Sequence, residues 1–176
     1  GVTRNPWNND FTSGGSSGGS SASLASGTST ICTGSDIGGS IRIPASTCGL
    51  VGYKPPYGRN PEEAVFNLDF YCHTGPLARS VKDAIRLQNV MCGPSPKDIA
   101  TLRPKLVLPY EYQPIKDWKI AYSPNLGCFE VDPEVEKNTL ASLEVFKSLG
   151  ATIEEVDLSW GPEVLEAGLA YLGHIF

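Results

Sequence analysis

Gly14-Gly15-Ser16-Ser17-Gly18-Gly19-Ser20 and, further on, Gly34-Ser35-Asp36-Ile37-Gly38-Gly39-Ser40-Ile41-Arg42-Ile43-Pro44 are two dense glycine-serine clusters near the start of the chain. Glycine and serine at this density ordinarily make a flexible linker. Here Leu24, Ala25, Ile31, Cys32, Ile37, Ile41 and Ile43 interleave them, and a solvated linker has no use for such side chains. Asp36, Arg42 and Pro44 interrupt the low complexity at non-repeating places. The stretch then runs directly into Thr47-Cys48-Gly49-Leu50-Val51-Gly52-Tyr53, which reads as buried structure. These are folded loops, in which glycine lets the backbone approach other groups closely and serine supplies hydroxyls.

Outward from the loops, the 176 residues suit one domain or a little more, with the apolar and charged content of an ordinary globular protein. A net charge of −5 without any Lys/Arg cluster gives no basic field for nucleic acid. No apolar run approaches the length of a spanning helix, and the N-terminus carries no signal-peptide pattern. The cysteines (Cys32, Cys48, Cys72, Cys92, Cys128) are odd in number and form no C-x-x-C. With only His73 and His174 beside them, neither a disulfide framework nor a zinc site is expected, and a reducing cytoplasm is the expected compartment. The chain opens at Gly1-Val2-Thr3 in sequence that already looks structured and stops at Ile175-Phe176 inside a helical pattern. Both ends lead us to expect the central piece of a larger protein.

The local pattern predicts a helix over 17–27 with Ser17 as its cap, a short buried strand over Thr30–Thr33, and a helical turn over Arg42–Cys48. Residues 54–74 read as a long irregular connection with one strand near Phe70. Ser80-x-x-Asp83 resembles a capping box and opens a helix that Gly93-Pro94 ends. Residues 94–116 are a proline-rich linker. Beyond it come a strand at Trp118–Tyr122, a helix from Asp132-Pro133 through Leu149, a strand at Thr152–Val156 and a last helix from Pro162. Val135, Leu140, Leu143, Phe146 and Leu149 give the first of those helices its apolar face. This alternation argues an α/β protein.

An acyl-transfer site needs a nucleophile, a base and donors for the developing oxyanion. Ile37-Gly38-Gly39-Ser40 can curl consecutive N–H groups around one point, and Ser40, at the end of that nest, is the natural nucleophile. Asp36 can position the loop by accepting N–H bonds, with a plain turn-forming role fitting it as well, and Arg42 reads as a structural ion-pair partner rather than a catalytic residue. A phosphate-binding loop is excluded because no Gly-Lys-Ser/Thr follows either cluster. The G-x-S-x-G elbow is missing around Ser40, and no spacing ties His73 to a serine.

The two clusters, together with Cys48-Gly49-Leu50-Val51-Gly52-Tyr53-Lys54-Pro55, Tyr57-Gly58-Arg59 and Gly75-Pro76-Leu77-Ala78-Arg79-Ser80, resemble the amidase signature family. The likeness is dense over about residues 1–95 and general beyond. It implies the amidase-signature α/β fold, a mixed sheet surrounded by helices, with 1–95 as signature core and 96–176 continuing the same domain. It implies a serine–serine–lysine triad in which Ser40 attacks an amide or ester carbonyl. Ser16, after a cis Gly15–Ser16 bond, relays the proton, with Gly15 and Ser17 in support. Ile37, Gly38, Gly39 and Ser40 match the backbone oxyanion hole, and Asp36 and Arg42 support it.

The family's lysine lies upstream of the first cluster, where this sequence has only Arg4, which cannot act as a base. Lys54 and Lys82 lie downstream and do not match the motif. The expectation is that the parent protein carries this lysine outside the range, so that residues 1–176 alone are inactive. No cofactor or metal is implied, the partner is a small-molecule amide, and a homodimer stays open. Fatty, aryl and amino-acid amides, ureas and carbamates all remain candidate substrates, and Tyr71, Cys72 and His73 are candidates to border the pocket. Two other roles stay open: the glutaminase-type A subunit of an aminoacyl-tRNA amidotransferase, and an inactive scaffold.

Overall fold

The computed structural model describes residues 1–175 and is mixed α/β. It divides into two compact units, Gly1–Glu111 and the residues from Tyr112 onward, and the boundary falls inside the proline-rich segment 94–116.

In the first unit, β1 (Arg4–Asn5) and β2 (Asn8–Thr12) form a short antiparallel hairpin. The sequence pattern does not announce it, because every residue but Asn5 is exposed and no alternation marks the strands. Polar contacts hold it instead. Asn5 Nδ2 donates to the Thr47 carbonyl at 2.7 Å and Trp7 Nε1 to the Cys48 carbonyl at 2.8 Å. These bonds satisfy carbonyls at the end of α2 (Arg42–Thr47), which as the last of a helix have no intrahelical partner.

The second sheet positions the loops. β3 (Ile31–Asp36) pairs antiparallel with β5 (His73–Ala78), and β4 (Val51–Gly52) pairs with the other edge of β5. Residues 54–74 hold a 3-10 turn at Phe66–Leu68 rather than a strand near Phe70, and the strand begins only at His73. The signal was obscured by Pro76, which normally argues against a central strand because it has no N–H for the ladder. Its carbonyl accepts from Tyr53 N–H at 3.1 Å, which sets that side of Pro76 toward the end of β4. The missing donor therefore falls where the short β4 has run out, and the β3 ladder is intact. A Cβ at Gly75 would overlap the Tyr53 carbonyl oxygen, so this glycine lets the chain after β4 lie against the strand.

Leu24 from α1 (Gly18–Ala25), Ile41, Ala45 from α2 and Leu77 from β5 form the core, with Cys32 and Leu50 packed against it. Small residues allow close approach: a Cβ at Gly52 would stand 2.7 Å from that of Ala45. Pro44 sits in the first turn of α2, where a missing N–H costs no intrahelical bond. α3 (Val81–Met91) is capped by Ser80, whose Oγ accepts from Asp83 N–H at 3.2 Å. The reciprocal half of the box differs, since the Asp83 carboxylate accepts from the Ser80 hydroxyl at 2.7 Å. Asp is one methylene shorter than the usual Glu, which accounts for the substitution.

The second unit is a β-α-β crossover followed by a helix. β6 (Lys119–Tyr122) and β7 (Thr152–Glu155) pair parallel, joined by α4 (Pro133–Ser148), and α5 (Glu163–Ile175) follows. Asp132 caps α4 by accepting from Glu134 N–H at 2.8 Å. The apolar face anticipated for α4 exists but is not buried: Val135, Leu140, Phe146 and Leu149 are exposed. Two strands offer too little surface to cover a four-turn helix.

Candidate active site

The two glycine-serine clusters meet. Ser17 N–H donates to the Ser40 carbonyl at 3.1 Å. The first cluster lies across the start of α2, where Gly14 adopts φ +72° and a Cβ would come within 2.9 Å of both Pro44 Cα and Thr47 Oγ1. The Thr47 hydroxyl donates to the Ser13 carbonyl at 2.8 Å and fastens the same contact. The Gly15–Ser16 peptide is cis. Ser16 is exposed at the head of α1, and Ser17 is half-buried. Ser17 occupies the cap position without a capping side-chain bond. Its side chain instead fills the space that glycine leaves at position 34, where a Cβ would stand 2.9 Å from that of Ser17.

The second cluster is organised by Asp36, the last residue of β3, which is fully buried. Its Oδ1 accepts from Gly39 N–H at 2.7 Å, and its Oδ2 from the N–H groups of Ile41 at 3.1 Å and Arg42 at 3.2 Å. The Arg42 guanidinium adds Nε to Oδ2 and Nη2 to Oδ1, both at 2.9 Å. Burial alone would raise this carboxyl, but Arg42 and the three N–H groups outweigh it and hold Asp36 well below the usual carboxylate range. The same pairing raises the Arg42 guanidinium.

Gly39 N–H is thus committed to Asp36, while among the described residues nothing takes the N–H groups of Ile37, Gly38 or Ser40. Gly39 has φ +122°, and a Cβ there would stand 2.6 Å from Ile43 Cδ1. A side chain would therefore be strained at this turn on both counts. Ile37 and Ser40 are half-buried, Gly38 is exposed and Gly39 is buried, so the turn lies at the surface with its rear wall in the core.

Lys54 lies downstream of the motif and carries no role in the sequence pattern. In the structure it reaches the turn: Nζ donates to the Ile37 carbonyl at 3.0 Å and stands 3.2 Å from Asp36 Oδ1. The signal was its place one residue past the Gly52-Tyr53 close approach to β5, which only the strand pairing makes visible. His73 pairs with Asp36 in the β3–β5 register, is buried, and has its ring 5.8 Å from that of Tyr57. Burial and the charge of Lys54 lower the His73 imidazole against the opposing effects of the Phe70 backbone, Glu62 and Asp69. Burial, then Glu62 and Asp69, push the half-buried Cys72 thiol up, and Tyr71 is exposed.

The site is a β-strand ending in a buried, cation-clamped aspartate, followed by a glycine turn with unpartnered N–H groups among the described residues and a serine at its end. The Amidase family model matches residues 1–173, and the chain belongs to that family. It is 43% identical over 162 residues to the A subunit of the glutamyl-tRNA(Gln) amidotransferase of Carboxydothermus hydrogenoformans, covering 89% of this chain and 33% of that protein. It is 38% identical over 164 residues to an acylamidase of Rhodococcus erythropolis, covering 92% of this chain and 34% of the relative. The crystal structure of a bacterial aryl acylamidase of the amidase signature family superposes with a TM-score of 0.87 at 38% identity, covering 95% of this chain and 35% of that one. The chain therefore spans about a third of the length of the curated relatives it matches.

Proposed function

We propose that this chain carries the nucleophile and oxyanion loops of a serine amidase that hydrolyses carboxylic amides. In this reading residues 1–95 form the signature core, and 96–176 continue the same domain. The observation that carries it is the junction of the two clusters, with Ser17 N–H on the carbonyl of Ser40 at the end of the turn that Asp36 grips.

Ser40 Oγ attacks the substrate carbonyl as its proton passes through the Ser16 hydroxyl to a base. The carbonyl oxygen becomes an oxyanion met by outward N–H groups of the Ile37–Ser40 turn. The C–N bond breaks as the amine takes the proton back along the same path, leaving an ester on Ser40. Water hydrolyses the ester and restores the serine. Gly39 N–H contributes indirectly, by tying the turn to Asp36. The base is a lysine that residues 1–176 do not supply. No lysine precedes Ser16, and Lys54 is engaged as a donor to a carboxylate and a carbonyl.

The substrate is a small amide, and the likeness to acylamidases puts acyl and aryl amides among the candidates. Labelling of the full-length protein with a fluorophosphonate tests the assignment. The adduct is expected on Ser40 and is abolished by S40A; an adduct elsewhere, or none on an enzyme that hydrolyses amides, sinks it. The 43% identity to the amidotransferase protein favours a second reading, release of ammonia from glutamine for a partner enzyme. Glutaminase activity that appears only with added partner proteins would select it, and amide hydrolysis by the isolated protein would reject it.

A further inference from the structure

We propose that Lys54 is a positioning residue for acyl transfer, fixing the Ile37–Gly38 peptide so that Gly38 N–H faces the reacting carbonyl. This rests on the amidase reading above and adds a residue to it.

Arg42 already binds both oxygens of Asp36, so the carboxylate has its counter-ion without Lys54. Yet the Lys54 side chain is only 17% exposed, and its ammonium reaches past Asp36 to a backbone carbonyl. An ion pair serving only to neutralise Asp36 has no need of that second contact.

The Ile37–Gly38 bond is not among the cis peptides, and in a trans peptide the C=O and the following N–H point in opposite directions. With the Ile37 oxygen held by Lys54, Gly38 N–H is turned away from the Asp36 side, toward the exposed face of the turn. The next N–H, that of Gly39, points back to Asp36. Among the described residues no other donor reaches the Ile37 oxygen. Without Lys54 this peptide loses the one side-chain contact that holds its oxygen, and rotation would put a carbonyl oxygen where an oxyanion needs a donor.

The experiment compares wild type, K54M and K54R of the full-length protein on a chromogenic anilide, with active sites counted by fluorophosphonate titration. Losing one oxyanion donor typically costs ~10²–10³ in kcat. K54M is expected to lose about a hundredfold in kcat per titrated site with KM within about threefold, and to lose affinity for a tetrahedral-adduct aldehyde in step with kcat/KM. K54R, which keeps a charged donor, recovers most of both. A structural role alone would lower Tm and the titrated fraction and leave kcat per site unchanged; that result overturns the proposal. If K54M does not fold, K54L, which also lacks a donor, replaces it with the same expectation. Wild type that hydrolyses no amide overturns the amidase reading and the proposal with it, whereas active wild type with unimpaired K54M overturns only the role of Lys54.

Discussion

Replacing Asp36 by asparagine keeps the shape of the side chain and removes its charge. The carboxylate accepts from three backbone N–H groups and from Arg42 at two points, with Lys54 beside it. An asparagine offers one accepting oxygen. If that oxygen keeps Gly39 N–H, the amide group faces Ile41 N–H, Arg42 N–H and Arg42 Nε–H, three donors with nothing to receive them. Each orphaned buried donor costs ~1–3 kcal/mol, and removing one partner of a buried pair costs ~3–5 kcal/mol. The Arg42 side chain is 54% exposed and can recover water, whereas Lys54 at 17% mostly cannot. The lower half of that range applies, so D36N should destabilise the protein by about 3–4 kcal/mol. Urea unfolding should report this as a lower midpoint at constant m-value, and thermal unfolding as a drop of roughly 10 °C. The pH dependence gives a second readout. The folded carboxyl lies below its unfolded value of about 3.9, so its contribution is complete above that value and is lost as pH falls through the folded one. The gap between wild type and D36N should therefore narrow only below about pH 4. A loss under 1 kcal/mol at neutral pH, or a gap that ignores acid, would refute the view that this charge holds the turn.

Two further outcomes follow from the same sheet. In G75A the new Cβ meets the Tyr53 carbonyl oxygen and stands 2.9 Å from Pro55 Cδ. The expected loss is about 1–3 kcal/mol of stability, with a fall in kcat as the chain bearing Lys54 is pushed out; a variant as stable and active as wild type would contradict the close approach. His73 is lowered from its ordinary value of 6.5, chiefly by burial and then by Lys54. Its stabilising effect is complete above that value and is lost as pH falls below it toward the folded value, so H73N should flatten the stability profile just below pH 6.5. An unchanged slope in chemical denaturation across that range would reject the assignment.

Much of this was legible in the chain because it is local. The caps Ser80 and Asp132, the stop at Gly93-Pro94 and the apolar spacing from Val135 to Leu149 each act within a few residues, and the helices they mark lie where the pattern puts them. The hairpin from Arg4 to Thr12 was not legible, since its anchor is a pair of side-chain bonds to carbonyls forty residues on. Nor was β5, whose Pro76 contradicts a central strand until the early end of β4 is known.

The sequence by itself determined the family, the two glycine-serine turns and the residues that fill them, because a turn needing glycine and a serine at its end is written in adjacent letters. Tertiary structure decided how those letters are divided among tasks. Gly39 N–H belongs to Asp36, while among the described residues those of Ile37, Gly38 and Ser40 have no partner, and Ser17 fills the gap at Gly34 rather than capping its helix. Lys54 holds the carbonyl that orients the turn. The physical reason is that hydrogen-bond partners and excluded volumes are set by strands pairing across dozens of residues, a distance over which spacing along the chain carries no signal.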